Sequence, residues 1–194
     1  MPEFQVYLAS SSPRRGELLA QIGVIHERLP VDVDETARSG ESARRFVERL
    51  AREKAEAGLD RRPAGDARPV IGSDTALELD GEILGKPRDR ADFEAMFSRL
   101  SGRSHRVFTG VTVADGRHAE VRVNETRVGF RPVAIHEMRA YWASGGPEDK
   151  AGGYAIQGRG AVFVADIRGS YSGVMGLPLF ETAALLERFG IKVL

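Results

Sequence analysis

Apolar positions along this chain recur at two spacings, and the switches between them mark out its elements. Residues 4–9 make a short apolar run with the length of a buried strand. Residues 13–22 then put Leu18, Leu19 and Ile22 on one helical face, with Gly23 set to end the helix. Residues 27–31 suit a second strand, followed by the acidic run Asp32-Val33-Asp34-Glu35. Ser42 is placed to cap a helix running to residue 57, with Phe46, Val47, Leu50, Ala51 and Lys54 at helical spacing and Gly58 as the expected terminator. Residues 61–69, rich in Pro, Gly and Arg, read as a surface loop.

Residues 70–75 read as a buried strand that delivers a carboxylate and a hydroxyl at its C-terminal end, where open α/β sheets place ligands. Asp80-Gly81 predicts a tight hairpin between residues 76–79 and 82–84, leading into Gly85-Lys86-Pro87. A helix over residues 90–100 carries Phe93, Met96, Phe97 and Leu100 inward. Two long strands, 105–113 and 118–130, meet at Asp115-Gly116, and Val121, Val123 and Val128 suggest one buried face on the second. An amphipathic helix over 135–143 ends at Ser144-Gly145-Gly146-Pro147. The last third is glycine-dense around residues 154–157 and a strand at 161–167, which implies tight turns or close backbone approach; residues 178–189 form the final helix. Helices alternating with strands, interrupted by antiparallel hairpins, predict an α/β fold with a mixed sheet covered on both faces.

At 194 residues, 42% hydrophobic and 29% charged, the chain can bury one sizeable core and is read as a single domain, 1–194. Lys+Arg 28 and Asp+Glu 28 cancel, so no net field draws it to a nucleic acid or a membrane, and any anion site has to be local. The absence of cysteine excludes a disulfide framework, thiolate catalysis and a zinc ribbon. His26, His105, His118 and His136 lack metal-ligand spacing. Residues 1–5 lack the basic start and apolar run of a signal peptide, so the chain is read as cytoplasmic.

Within this frame Leu8-Ala9-Ser10-Ser11-Ser12-Pro13-Arg14-Arg15 stands out, because a strand runs there into hydroxyls, a helix start and two guanidinium groups. Ser12 suits an N-cap and Pro13 the first helical position, so the helix would aim free N–H groups and its positive end at the loop, where Arg14 can grip an anion bidentately. Arg14, Arg15, Lys54 and Lys86 are cations at element ends; Glu35 and Asp74 are carboxylates near strand ends. Together they suit a polyphosphate with a divalent metal cation, Mg²⁺, Mn²⁺ or similar, and either carboxylate can take a proton from water. Taken singly, Lys54 and Arg15 read as solvated helix charges and Glu35 as a loop acid. Asp74 is the exception, since an acid on a buried strand is costly without a cation or donors beside it.

These blocks, with Ala51-Arg52-Glu53-Lys54-Ala55, Gly72-Ser73-Asp74-Thr75, Gly85-Lys86-Pro87, Ser101-Gly102, Asp149-Lys150-Ala151-Gly152, Tyr154-Ala155-Ile156-Gln157-Gly158 and Gly176-Leu177-Pro178, occur in an order that resembles the Maf family of nucleoside triphosphate pyrophosphatases. The resemblance implies an elongated mixed sheet flanked by helices, a cleft between two lobes, and metal-dependent hydrolysis of a nucleoside triphosphate to the monophosphate and pyrophosphate. It makes Asp74 the proton acceptor and a metal ligand, with Glu35 the second ligand and its neighbour Asp34 the other candidate. Ser10, Arg14, Arg15, Lys54 and Lys86 would hold the phosphates. Arg14, Thr75 and Gln157 match the marks of the branch acting on dTTP and UTP, and a glutamine amide can pair in one plane with the carbonyl and N3–H of either base. Read without the family, Gln157 is a turn residue bonded to its glycine-rich surroundings. The alternatives are the 7-methyl-GTP branch, which lacks the Tyr-x-Ile-Gln-Gly pattern, and a non-hydrolysing nucleotide-binding regulator of cell division. The resemblance leaves a homodimer open.

Overall fold

In the computed structural model, residues 4–146, 148 and 150–193 are described; Pro147 and Asp149, in two of the blocks above, and residues 1–3 and 194 lie outside them. The described residues form a mixed sheet of seven strands with helices on both faces. In chain order these are β1 (Val6–Leu8), α1 (Pro13–Gln21), β2 (His26–Arg28), α2 (Ala43–Arg61), β3 (Val70–Leu79), β4 (Glu82–Leu84), α3 (Arg90–Leu100) and β5 (Ser104–Ala114). There follow β6 (Ala119–Phe130), α4 (Ile135–Ala143), β7 (Val164–Arg168), α5 (Tyr171–Met175) and α6 (Leu179–Arg188). The strand order is β2-β1-β3-β5-β6-β7, with β4 beside β3. No helix of the described residues is long and apolar enough to cross a membrane.

β3 is the spine. The expected strands at 70–75 and 76–79 are one ten-residue strand, paired antiparallel with β5 without a break from Val70 to Glu78. Its other edge is shared: β1 pairs with it in parallel at Val70 and Ile71, and β4 antiparallel from Leu77 to Leu79. Between those pairings the middle of β3 has no strand partner on that side among the described residues, so an edge opens in the interior of the protein.

Alternation along β3 sorts its side chains. Ile71 joins a core built by Val6, Leu8, Leu18, Leu19, Val111, Leu177, Leu185 and Leu186. Leu77 and Leu79, on the same face, join a second and strongly aromatic core with Phe93, Phe97, Phe130, Tyr141, Tyr154 and Phe163. Ser73 and Thr75 lie between the two. The opposite face takes α2, which comes so close that a Cβ on Gly72 would stand 2.2 Å from the carbonyl oxygen of Ala51. Gly58 is a helix residue of the same kind. It does not terminate α2, which runs on to Arg61, but lets the helix press on β3, where a Cβ would lie 2.6 Å from Val70 Cγ1.

Other boundaries move for local reasons. Val121 and Val123 do not share a face with Val128, because their spacing is odd: Val123 packs with Phe46, Val47 and Phe108 beneath α2, whereas Val128 enters the aromatic core. The strand expected at 161–167 begins at Val164, after a 3-10 turn at Arg159–Phe163. β2 occupies His26–Arg28 rather than residues 27–31, and the five-residue α5 has no counterpart among the predicted elements. Asp80 and Gly81 both take positive φ, 56° and 84°, which closes the hairpin as the Asp-Gly pair implies.

Candidate active site

The open edge of β3 lies in a cleft of about 790 Å³. Of the residues singled out from the sequence for the site, all but the alternative ligand Asp34 line it: Ser10, Arg14, Arg15, Glu35, Lys54, Asp74, Thr75, Lys86 and Gln157. Asp74 and Thr75 reach it from opposite faces of the sheet, so the cleft wraps around the strand edge.

On the α2 side, Lys54 is buried and its ammonium lies 2.6 Å from Glu35 Oε1 and 2.7 Å from Asp74 Oδ1. The reading of Lys54 as a solvated helix charge therefore does not hold. Glu35, not Asp34, is the acid turned to the cleft; Asp34 Oδ1 accepts from the backbone N–H of Thr36 at 2.9 Å. Asp74 is 6% exposed, and burial pushes its carboxyl above the usual carboxylate range against the pull of Lys54 and Arg15. Burial acts in the same sense on the half-exposed Glu35, but the Lys54 hydrogen bond and charge, with Lys86 and Arg15, hold it below that range. Two acids within reach of one cation are thus tuned in opposite directions.

The loop after β1 is organised by Ser10. Its Oγ accepts from the backbone N–H of Ser12 and from Arg15 Nη1, each at 3.1 Å, which leaves its own proton for an incoming anion. Ser12 stands at the N-cap of α1 and Pro13 at its first position, but the Ser12 side chain makes no capping bond, so the first N–H groups of the helix stay open. Arg14 and Lys86 line the cleft with no hydrogen bond or ion pair among the described residues. Lys86 is set in place by its neighbour: the Gly85 carbonyl accepts from the N–H of Gly152 at 3.0 Å.

On the other side, Thr109 Oγ1 donates to the Gly173 carbonyl at 2.7 Å and lies 3.0 Å from Thr75 Oγ1. With the Thr109 proton used, Thr75 is the donor of that pair and offers the cleft an acceptor. Gln157 is exposed at the rim, and its amide makes no hydrogen bond among the described residues, so it is not the self-bonded turn residue of the alternative reading. Buried beneath, His105 Nε2 lies 2.7 Å from the Tyr154 hydroxyl, fixing the tyrosine three residues ahead of Gln157. Ser73, Thr109 and the Gly176 carbonyl were assigned no role from the sequence, although Ser73 and Gly176 lie in quoted blocks. Gly72-Ser73 carried a signal, a hydroxyl inside a buried strand; Thr109 carried none, because its partners are 34 and 64 residues away.

The family described as "Maf-like protein" matches residues 5–189. The dTTP/UTP pyrophosphatase of Aromatoleum aromaticum is 54% identical over 198 residues, covering 96% of each chain. That of Alkalilimnicola ehrlichii is 52% identical over 195 residues, 98% of this chain and 96% of its own. Among solved structures, the Staphylococcus aureus Ham1 protein aligns with 64% of this chain and 71% of its own, at 16% identity and a TM-score of 0.42.

Proposed function

Since the chain belongs to the Maf-like protein family, we propose that it hydrolyses dTTP and UTP to the nucleoside monophosphate and pyrophosphate, with the triphosphate held along the open edge of β3. The observation that carries this reading is the buried Lys54 ammonium shared by Glu35 and Asp74, beside Arg14 and Lys86, which have no partner among the described residues, in the same cleft. The names of relatives at 54% and 52% identity support the substrate.

Arg14, Arg15 and Lys86 neutralise phosphate oxygens, and Ser10 donates its free proton to one of them. Asp74, ionised and raised above an ordinary carboxylate, takes the proton of a water that adds at the α–β anhydride; the new oxygen–phosphorus bond replaces the one to the leaving pyrophosphate. Lys54 holds Asp74 in its ionised form for that step. Gln157 pairs with the imide edge of uracil or thymine, and rejects cytosine because its amide is then left with a mismatched partner.

The residues fit a divalent cation. Glu35 Oε2 and Asp74 Oδ2 accept no hydrogen bond among the described residues, and hard oxygen donors are what Mg²⁺ or Mn²⁺ takes. Glu35 and Asp74 are the residues that would hold such an ion. Such an ion would supply charge neutralisation on the phosphates.

Asp74→Asn keeps the shape and loses the base. It is expected to slow pyrophosphate release from dTTP by about a thousandfold while the unfolding temperature stays near that of the wild type. Turnover within about tenfold of wild type would remove Asp74 from the proton transfer, and a wild-type chain that binds dTTP without releasing pyrophosphate would leave a nucleotide sensor.

A further inference from the structure

Among the sequence blocks with no task in the reaction above are Gly72-Ser73 and Gly176-Leu177-Pro178, which meet behind Arg15. Ser73 is fully buried on β3, with its Oγ 2.9 Å from the Gly176 carbonyl and 2.8 Å from that of Gly110, so one hydroxyl proton is shared between two acceptors. Gly176 ends α5 in a left-handed conformation, φ 115°, which turns its carbonyl back into the protein. The same oxygen accepts from Arg15 Nε at 2.9 Å. Its two lone pairs are therefore divided between the core strand and the guanidinium.

The turn lies against the guanidinium at ordinary contact distance. A Cβ on Gly176 would come within 3.4 Å of Arg15 Nε and 3.5 Å of Thr75 Oγ1. At the other end of the fork, Arg15 Nη1 donates to Ser10 Oγ. A guanidinium held at Nε and Nη1 has a fixed plane, and its Nη2 donors, which make no hydrogen bond among the described residues, keep one direction. Leu177, fully buried, secures the chain just past the carbonyl but does not orient it.

We propose that Ser73 is a positioning residue for the triphosphate: through the Gly176 carbonyl it sets the plane of Arg15, so that the arginine meets phosphate oxygens without first giving up rotational freedom. The substrate in this statement rests on the pyrophosphatase reading. The geometry of the relay does not, and the test separates them.

The experiment is a double-mutant cycle of Ser73→Ala and Arg15→Ala, read by dTTP turnover and by calorimetric binding of inorganic pyrophosphate. Ser73→Ala is expected to raise KM and the pyrophosphate Kd about tenfold with kcat changed by less than about threefold. In the Arg15→Ala background the same change is expected to cost under about twofold, since the residue it acts through is gone. Ser73→Cys, which keeps a weak donor in a similar shape, should fall between serine and alanine and also serves if the alanine variant does not fold. Equal fold-losses in both backgrounds would overturn the proposal, because Ser73 would then act on the fold and not through Arg15. Coupling in pyrophosphate binding by a chain that does not turn over dTTP would sustain the relay and sink the hydrolase reading alone.

Discussion

His105 is buried with a titratable ring; among the described residues it has no charged partner and its Nδ1 no hydrogen bond, while Nε2 meets the Tyr154 hydroxyl. Burial lowers its pKa from 6.5 to about 4, so between those values the unfolded chain holds a proton that the folded one lacks. Stability must then fall as pH drops through that interval. Lowering the pH from 7 to 5 is expected to cost about 2 kcal/mol from this residue alone, measured by urea unfolding at both pH values. His105→Gln, which keeps a polar partner for Tyr154 without titrating, should lose that part of the slope; an unchanged slope would assign the pH response elsewhere. The residue matters to the site because Tyr154 opens the segment that carries Gln157.

α2 shows how an element can be legible in sequence while its setting is not. Its cap and apolar face follow from Ser42, Phe46, Val47 and Leu50, and Ser42 Oγ does accept from the Arg45 N–H. What helical spacing could not tell is that Gly58 and Gly72 exist for close packing, since that depends on which strand arrives opposite. Gly72→Ala would drive a methyl group into the α2 backbone at Ala51 and Ala55, which cannot yield as a side chain can. The expected loss is about 3 kcal/mol or more in chemical denaturation, and Lys54, on the same turns of α2, would be lifted from Asp74. A variant as stable as wild type would show that helix and strand can separate at little cost. The site was readable for a similar reason in reverse: Asp74 breaks an apolar run and Arg14 stands at a helix start behind three serines and a proline, and a charge in such a place announces itself, whereas Thr109 and the Gly176 carbonyl act through partners far along the chain.

Across the whole molecule, two cores share one face of the long strands and the cleft opens where the first gives way to the second. Its carboxylates already have a cation in Lys54, so Mg²⁺ alone is expected to leave the unfolding temperature within about 1 °C. Mg²⁺ with a non-hydrolysable dTTP analogue at a hundred times its Kd should add about 2.7 kcal/mol, or about 5–10 °C for a chain of this size, measured by calorimetric scanning. No shift with the pair would rule out the cleft as a nucleotide site. The unbroken register of β3 also restricts how the chain can change in length. One residue inserted before Asp74 would carry the carboxylate through to the far side of the sheet, and two would return it to its side about 7 Å out of place. Insertions and deletions can accumulate in connections such as residues 62–69, but the spine tolerates neither and keeps its count of residues.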